Sequence, residues 1–376
     1  MRVLILTASY GSGHNEAARS LAAAFERERI EAVVVDHFRE LVHPRFERAS
    51  RSLYYAMLRS APVVWGMAYG LADWMSSDSR LSFGATRLGT DRLVRLLDTL
   101  APDAVVSVHA TPAVVMSRLR ELGRAVPPHT TVVTDFVAHS QWIAPHIDRY
   151  CVAADEVKHE FIARGIPADR VMVTGVPLRP EFESAVSAQE ARLAFGLSRR
   201  MPVVLAMAGS NGRFGRLPDV VRALKHVRHP LQGVVVAGRD RALGERLRKL
   251  AAGTNIRVLG YVPEIRRLMA AADLLITKAG GMTLAEAMAA GLPLVTFGSL
   301  PGQERRNERF ASRAGVALVA RSSADLEHAV ERALATPALR EQLRERTRAL
   351  ARPAASRRIV AAVLGRDFGS RSAILP

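Results

Sequence analysis

Residues 276–310 contain the groups best suited to bind a phosphate-bearing sugar, and they read ITKAGGMTLAEAMAAGLPLVTFGSLPGQERRNERF. An apolar run breaks at Gly280-Gly281 and continues as a helix of small residues that ends at Gly291. A strand, a glycine turn and a helix direct backbone N–H groups and the positive end of a helix dipole toward an anion. Polar side chains that could bind diphosphate, ribose or hexose accompany this turn: Lys278, Thr283, Glu286, Gln303, Glu304 and Asn307.

The same residues also fit a purely structural interpretation. Thr283-x-x-Glu286 matches a capping box, in which Thr283 would cap the helix and Glu286 would bond back to it. Glycine pairs are common in ordinary turns. The local sequence leaves this alternative open.

A second glycine-rich loop occurs near the N-terminus, where Ser9–His14 separates the strand Val3–Leu6 from a helix predicted over Glu16–Arg29. It could be an ordinary tight turn. With Asp36 after the next strand, it also matches a dinucleotide-binding fingerprint, although that signal is common. In a third interpretation His14 is a catalytic base, because a helix dipole disfavours the protonated imidazole and a neutral imidazole can accept a proton.

Further candidates follow other predicted strands of the N-terminal half. Asp135 lies at the carboxyl end of the strand Thr131–Thr134, where open α/β sheets bind ligands, and His139 follows in the loop. His109 ends the strand Ala104–Val108. Alternatively, Asp135 caps a turn and His139 is a solvated loop residue.

The C-terminal half has one more glycine loop, Ala208–Gly212, after the strand Val203–Met207. Its Gly209 and Ser210 could cradle a phosphate. Alone this signal is weak, but it recurs in the same half as Gly280-Gly281 and also follows a strand.

Composition limits the partners. The chain has 376 residues and a formal net charge of +17, which predicts attraction to nucleic acid or to an anionic membrane surface. The sequence contains no nucleic-acid module such as a Cys/His finger. One cysteine excludes an internal disulfide and is compatible with the cytoplasm. With no signal peptide and no apolar run near the ~18 residues that span a bilayer, membrane contact is expected to be peripheral.

Residues 38–78 differ in character from the rest of the N-terminal half, because aromatic residues alternate there with arginines. Such a composition is typical of a helix at a membrane interface, with rings at headgroup level and cations on anionic lipid. It is equally compatible with a helical insertion whose aromatic residues fill a core. The candidates for acceptor or membrane contact are Arg51, Tyr54, Trp65 and Trp74.

The order of predicted elements indicates two α/β domains with parallel sheets, because strands alternate with helices throughout. The N-terminal domain is predicted over residues 1–177 with an insertion at about 38–100, followed by a linker over 178–200. The C-terminal domain is predicted over 201–350 and a basic helix and tail over 351–376.

Three motif blocks carry a family resemblance: the Gly-x-Gly-His loop, the VVTDFVAHSQW…DRYCVAADEV run, and ITKAGGMTLAEAMAAGLP followed by LPGQERRN. Together they resemble the processive diacylglycerol glucosyltransferases and monogalactosyldiacylglycerol synthases. Those enzymes typically have a proline where this chain has Ala279, a departure that leaves the glycines intact.

The resemblance implies two Rossmann-like domains that face across a cleft, the GT-B glycosyltransferase fold. It implies an inverting transfer of a hexose from UDP-glucose or UDP-galactose to diacylglycerol or glycosyldiacylglycerol at the cytoplasmic face of the membrane. His14 would be the base, with Asp135 orienting the base or the acceptor hydroxyl. His109 and His139 would line the acceptor side. Gly13, Gly209, Ser210, the backbone at Val262 and the Gly280-Gly281 turn would hold the donor. No metal or other cofactor is expected, since no Asp-x-Asp pair is present.

A basic module without chemistry, which binds nucleic acid or an anionic membrane, stays open as an alternative, and so do two enzyme functions. One keeps the fold but transfers N-acetylglucosamine from its UDP derivative to a polyprenyl-diphosphate intermediate of the cell wall. The other is an NAD-dependent oxidoreductase that uses Gly11, Gly13 and Asp36, which would leave the C-terminal motif unexplained.

Overall fold

The computed structural model of the protein describes residues 1–74, 88–209 and 216–366, without the side chains of Ala72 and Trp74. The chain divides into two compact units. Unit 1 contains Met1–Pro180 and Pro353–Pro376, and unit 2 contains Glu181–Arg352.

Unit 1 is built on a parallel six-stranded sheet of order β2-β1-β3-β4-β5-β6. The strands are β1 (Arg2–Thr7), β2 (Glu31–Asp36), β3 (Ala104–Ser107), β4 (His129–Val132), β5 (Arg149–Val152) and β6 (Val171–Val173). Its helices are α1 (Ser12–Arg27), α2 (Pro44–Ser60), α3 (Pro62–Trp74), α4 (Thr90–Leu100), α5 (Ala110–Glu121) and α6 (Asp155–Ala163), with a π-helical turn at His37–Val42. The continuous apolar runs of β1 and β3 are buried, as strands covered by helices on both faces require.

Unit 2 repeats the architecture with the strand order β12-β11-β10-β7-β8-β9. Its strands are β7 (Val203–Met207), β8 (Gln232–Val236), β9 (Ile256–Leu259), β10 (Leu274–Thr277), β11 (Leu294–Phe297) and β12 (Ala317–Ala320). Its helices are α7 (Ala188–Ala194), α8 (Leu217–His226), α9 (Arg241–Ala251), α10 (Ile265–Ala271), α11 (Gly281–Ala290), α12 (Gln303–Arg313), α13 (Ser323–Ala335) and α14 (Pro337–Ala349). The core packs strand residues such as Val204 and Ile276 against helix residues such as Val221 and Val330.

The strand order determines where each unit can bind a ligand. In unit 1 the chain moves from β1 to β2 on one side and then to β3 on the other, and in unit 2 β7 lies between β8 and β10. In open parallel sheets, ligands bind beyond the carboxyl ends of the strands at such a reversal. The loops after β1 and β3, and those after β7 and β10, are therefore the expected binding edges.

The last helix within the described ranges, α15 (Ala355–Val363), belongs to unit 1. It packs against α1, and Ile359 and Val360 are buried. The Ser356 hydroxyl donates to the carbonyl oxygen of Leu178 at 2.8 Å. Among the residues described, no helix has the length and apolar character needed to span a membrane.

Candidate active site

His14 lies at the binding edge of unit 1 as the third residue of α1, which begins directly after Gly11. The sequence had placed this helix start at Glu16. Gly11 and Gly13 are tolerated at this helix start, because the first N–H groups of a helix have no partner within the helix. The His14 imidazole is therefore held by the first turn of a helix.

The hydrogen bonds of His14 determine which of its nitrogens can act as a base. Nδ1 lies 2.8 Å from the carbonyl oxygen of Val108 and 3.3 Å from the Thr134 hydroxyl. A carbonyl oxygen only accepts, so Nδ1 must carry the proton in the neutral ring. Nε2 is then the unprotonated nitrogen, available to accept a proton from another molecule.

The surroundings of His14 keep the ring neutral. Burial lowers its pKa below the ordinary 6.5, while the charge of Asp135 and the bond to Val108 act in the opposite direction. The sequence argument had named the helix dipole as the cause, whereas burial is the largest cause here. An imidazole with a lowered pKa is unprotonated at neutral pH, as a base must be.

Three neighbouring strands bring the predicted residues of unit 1 together. β1, β3 and β4 are adjacent, and they are followed by His14, His109 and Asp135 respectively. The rings of His14 and His109 lie 4.8 Å apart between centroids, and Asp135 is only 2 % exposed. The predicted strand Thr131–Thr134 is in fact β4, so Asp135 lies three residues beyond its end.

His109 also has a structural role. Its Nδ1 accepts the N–H of Thr111 at 3.1 Å and so caps α5. Because Nδ1 accepts, the neutral ring carries its proton on Nε2. Burial holds the pKa of His109 well below 6.5, and the charges of His14 and His37 lower it further.

His139 is a buried residue rather than the solvated one that the alternative interpretation supposed, since it is 2 % exposed. Its Nδ1 accepts the N–H of Gln141 at 3.2 Å, and its Nε2 donates to the carbonyl oxygen of Tyr69 at 3.1 Å. It therefore ties the loop after β4 to α3 in the insertion.

A polar network that sequence reasoning did not identify supports the His14 loop. Asn15 accepts from the Thr7 hydroxyl at 3.0 Å and donates to the Ser9 hydroxyl at 2.9 Å. Ser9 in turn donates to the carboxylate of Asp36, which also accepts from the N–H of Arg39. Asp36 is buried, and its carboxylate accepts hydrogen bonds from within the protein. The acidic residue of the dinucleotide fingerprint therefore already has protein partners.

In unit 2 the Gly280-Gly281 turn has the geometry expected of an anion site. Helix α11 begins after Gly280, and no side chain caps it. Thr283 is therefore the third residue of the helix and not its cap, so the capping-box interpretation of Thr283 and Glu286 is wrong. The N–H groups of the first turn are left for a ligand.

Lys278 lies between the two glycine turns of unit 2. Its Nζ is paired with Glu304, whose other carboxylate oxygen accepts the N–H of Leu300 at 2.9 Å. A Cβ built on Gly209 would lie 3.9 Å from the Lys278 Cε, and one built on Gly280 would lie 3.9 Å from its Nζ. Gly209 also has φ +77°, a conformation that favours glycine.

The remaining residues that were predicted to bind the sugar nucleotide lie in different parts of unit 2. Asn307 is fully buried and donates to the carbonyl oxygen of Ala279 at 3.2 Å, so it holds the turn in shape. Glu286 is 8 % exposed in the second turn of α11. Gln303 begins α12, and Val262 follows β9 at the far edge of the sheet. Ser210 lies outside the described residues.

The aromatic candidates of the insertion pack on one another. The ring of Tyr54 lies 5.0 Å from that of Trp65 and 5.8 Å from that of Tyr10. Arg51 is paired with Glu47 at 2.6 Å. Trp74 ends α3, but its side chain is outside the description.

A metal site is not evident in the ranges described, where no three histidine, cysteine or acidic side chains converge. The expectation of metal-free chemistry stays a prediction, as do the roles assigned to the individual site residues.

Comparison with known proteins identifies the family. Residues 14–178 match the family model described as Monogalactosyldiacylglycerol (MGDG) synthase, and residues 199–350 match Glycosyl transferases group 1. A processive diacylglycerol beta-glucosyltransferase of Bacillus cytotoxicus is 33 % identical over 96 % of this chain and 93 % of its own. The enzyme of the same name from Bacillus subtilis is 32 % identical, over 89 % of this chain and 87 % of its own.

Solved structures confirm the fold. Acinetobacter baumannii MurG superposes with a TM-score of 0.66 at 18 % identity, covering 97 % of this chain and 99 % of that one. The calicheamicin glycosyltransferase CalG4 gives 0.61 at 16 % identity, covering 98 % of this chain and 99 % of that one. The two Rossmann-like sheets are thus those of a GT-B glycosyltransferase. With the family models and the curated relatives, they show that the chain is a glycosyltransferase and belongs to the lipid glycosyltransferase family of the monogalactosyldiacylglycerol synthases and processive diacylglycerol glucosyltransferases.

Proposed function

We propose that the protein transfers a hexose from UDP-glucose or UDP-galactose to diacylglycerol, or to a glycosyldiacylglycerol, with inversion at the anomeric carbon. The observation that carries the proposal is the His14 ring, whose pKa is lowered by burial and whose Nδ1 contact with Val108 leaves Nε2 unprotonated. The names of the curated relatives support the lipid acceptor.

The donor would be held in unit 2 mainly by main-chain groups. The uncapped start of α11 offers N–H donors and the positive end of a helix dipole to the diphosphate. Lys278 adds a cation near both glycine turns, although Glu304 offsets part of its charge. Glu286 would accept hydrogen bonds from the hydroxyl groups of the sugar.

In the transfer itself, His14 Nε2 takes the proton of the lipid hydroxyl. The hydroxyl oxygen forms a bond to the anomeric carbon as the bond from that carbon to the diphosphate oxygen breaks. The electron pair leaves with UDP, whose growing negative charge the N–H groups in the first turn of α11 stabilise. The imidazolium then loses its proton to solvent.

The insertion supports peripheral binding to an anionic membrane. Helix α3 exposes Val63, Val64, Met67 and Leu71, which lie on one side of a helix, and each is 52–68 % exposed. Leu53 of α2 is 68 % exposed as well. We call these five side chains the apolar face. Exposed arginines of α2 accompany it, namely Arg45, Arg48 and Arg59. Apolar side chains that enter the acyl region, with arginines among the headgroups, fit an interfacial helix pair.

A donor and acceptor screen tests the proposal. Purified protein would be incubated with UDP-glucose, UDP-galactose or UDP-N-acetylglucosamine, and with vesicles containing diacylglycerol or a polyprenyl diphosphate. We expect a glycosyldiacylglycerol from a UDP-hexose. Transfer of N-acetylglucosamine to the polyprenyl acceptor alone would support the alternative function, and consumption of no sugar nucleotide would contradict both.

A further inference from the structure

Helix α2 departs from the pattern of an ordinary surface helix at two positions. Glu47 is only 4 % exposed, whereas Leu53 is 68 % exposed. Surface helices normally bury their apolar side chains and expose the charged ones. The outward apolar side is explained by the proposed membrane contact. The inward polar side requires a separate explanation.

The inward side of α2 is a stripe of residues at helical spacing, formed by Glu47, Ser50, Arg51 and Tyr54. It lies against Tyr10, which belongs to the loop directly before α1, the helix of His14. The Tyr10 hydroxyl donates to the Ser50 hydroxyl at 2.6 Å, and the rings of Tyr10 and Tyr54 lie 5.8 Å apart. The Tyr10 ring is thereby fixed in position by α2.

The Glu47–Arg51 pair lies in this stripe at a separation of 2.6 Å. Burying a carboxylate costs desolvation free energy that a surface pair does not incur. Arg51 is 39 % exposed, so its guanidinium can still donate to a ligand while the buried Glu47 holds it in place. A charged pair of this kind suits a ligand with several hydroxyl groups.

Tyr10 also stands close to the base. Its ring lies 6.5 Å from that of His109, which lies 4.8 Å from that of His14. Tyr10 is half-buried. A hexose has an apolar face of C–H groups that packs on an aromatic ring, and hydroxyl groups at its edge that bond to carboxylate and guanidinium groups. Diacylglycerol has one hydroxyl and no sugar ring, so it could not use these contacts.

We propose that Tyr10 and the Glu47–Arg51 pair form a binding site for the sugar of a glycosylated lipid acceptor, and that this site determines how readily a second sugar is added. The inference rests on the proposed function, because it assumes a lipid acceptor. Beyond that function, the inference specifies that this part of the protein recognises the glycosylated acceptor. One hexose on Tyr10 would place its own free hydroxyl toward His14, while its lipid portion extends along the ring pair of Tyr54 and Trp65.

The ratio of the second to the first transfer tests this site. Wild type, Glu47→Gln and Tyr10→Leu would each receive diacylglycerol and monoglycosyldiacylglycerol in separate vesicle assays, and kcat/KM would be measured for both. We expect the ratio of second to first transfer to fall by about tenfold or more, as loss of a hydroxyl-binding group predicts. Glu26→Gln, at an exposed position of α1, is the matched control.

A purely structural defect would lower both transfers together, so an unchanged ratio would overturn the inference while leaving the proposed function intact. A wild-type protein that adds only one sugar would overturn it as well. If the wild type forms no glycolipid with any UDP-hexose, the proposed function fails and the inference fails with it.

A binding measurement supplies a readout that does not depend on turnover. Octyl β-D-glucoside, below its micelle concentration, would be titrated into UDP-saturated protein by calorimetry. We expect Tyr10→Leu and Glu47→Gln to weaken binding by about tenfold. Equal affinity in wild type and both folded variants would contradict a sugar site at Tyr10.

Discussion

His14 gains its chemical character from burial and from two neighbours that are distant in sequence. Val108 fixes the proton on Nδ1, burial lowers the pKa, and Asp135 partly restores it. The sequence alone could locate His14 at a helix start, but it could not show the carbonyl of Val108. That contact depends on the pairing of β1 with β3, which no local pattern reveals.

Replacing Asp135 with asparagine should move the acid limb of the pH–rate profile to lower pH. The base must be neutral, so activity falls as pH decreases through the pKa of His14. The charge of Asp135 raises that pKa, and its removal therefore lowers the pKa further. The measurement is kcat/KM against pH, with the exposed Asp98→Asn as control. An acid limb that stays in place or moves upward would show that Asp135 does not act on the base.

Replacing Glu286 with glutamine should weaken donor binding more than it weakens the fold. Loss of hydrogen bonds to a charged group costs about 1.5–3 kcal/mol, which corresponds to a rise of more than tenfold in the KM for the UDP-sugar. Thermal unfolding would be measured in parallel, with Glu264→Gln on the surface as control. A lowered Tm together with an unchanged KM would assign Glu286 to the fold alone.

At the scale of elements, strands were the most predictable features. The predicted strand Val203–Met207 is β7 with the same limits, because it is a short apolar run bounded by turn residues. β5, in contrast, was missed, since Arg149–Val152 carries a charge and a tyrosine and shows no clear alternation. Its burial comes from neighbouring strands and not from its own pattern.

Helix starts were less predictable, for a reason visible at both glycine turns. α1 and α11 begin at or next to glycine, without a side-chain cap. Sequence rules search for Ser, Thr, Asp or Asn at this position, so they placed the start of α1 late and proposed a capping box at Thr283. Both departures occur where we propose ligand binding, and there a side-chain cap would compete with the ligand.

Substitutions on the apolar face should reduce membrane binding. Burying a Met or Leu side chain contributes up to about 1.5–3 kcal/mol, so Met67→Gln with Leu71→Gln should lower partitioning to phosphatidylglycerol vesicles by at least about tenfold. Sedimentation with vesicles measures this. The matched control is Leu122→Gln with Leu193→Gln, whose side chains are 66 % and 65 % exposed outside the insertion. Equal losses in both double variants would mean that the apolar face has no special affinity for the bilayer.

At the scale of the whole molecule, the two units use one topology with different chemistry at the same sheet edge. In unit 1, titratable rings and a carboxylate follow β1, β3 and β4. In unit 2, glycine turns and a lysine follow β7 and β10. The alternation of strands and helices was sufficient to predict two such sheets. It could not predict that α15 packs in unit 1, because the apolar stripe of that helix does not specify its partner.

Removing α15 should destabilise unit 1. Ile359 and Val360 are buried there, and each buried side chain contributes about 1.5–3 kcal/mol. A chain ending at Arg352 should therefore unfold at a clearly lower temperature than one ending at Arg366, which retains the helix. Calorimetry of the two chains is the measurement, and identical unfolding temperatures would show that α15 adds nothing to unit 1.

His14→Ala tests the central claim, that a neutral histidine removes the proton of a lipid hydroxyl while a separate set of groups binds the sugar nucleotide. UDP release with diacylglycerol vesicles and UDP binding by calorimetry would be measured on the same preparation. The account predicts that turnover falls by about 10²–10⁴-fold while UDP affinity stays within about twofold of wild type. Turnover close to that of wild type would contradict it.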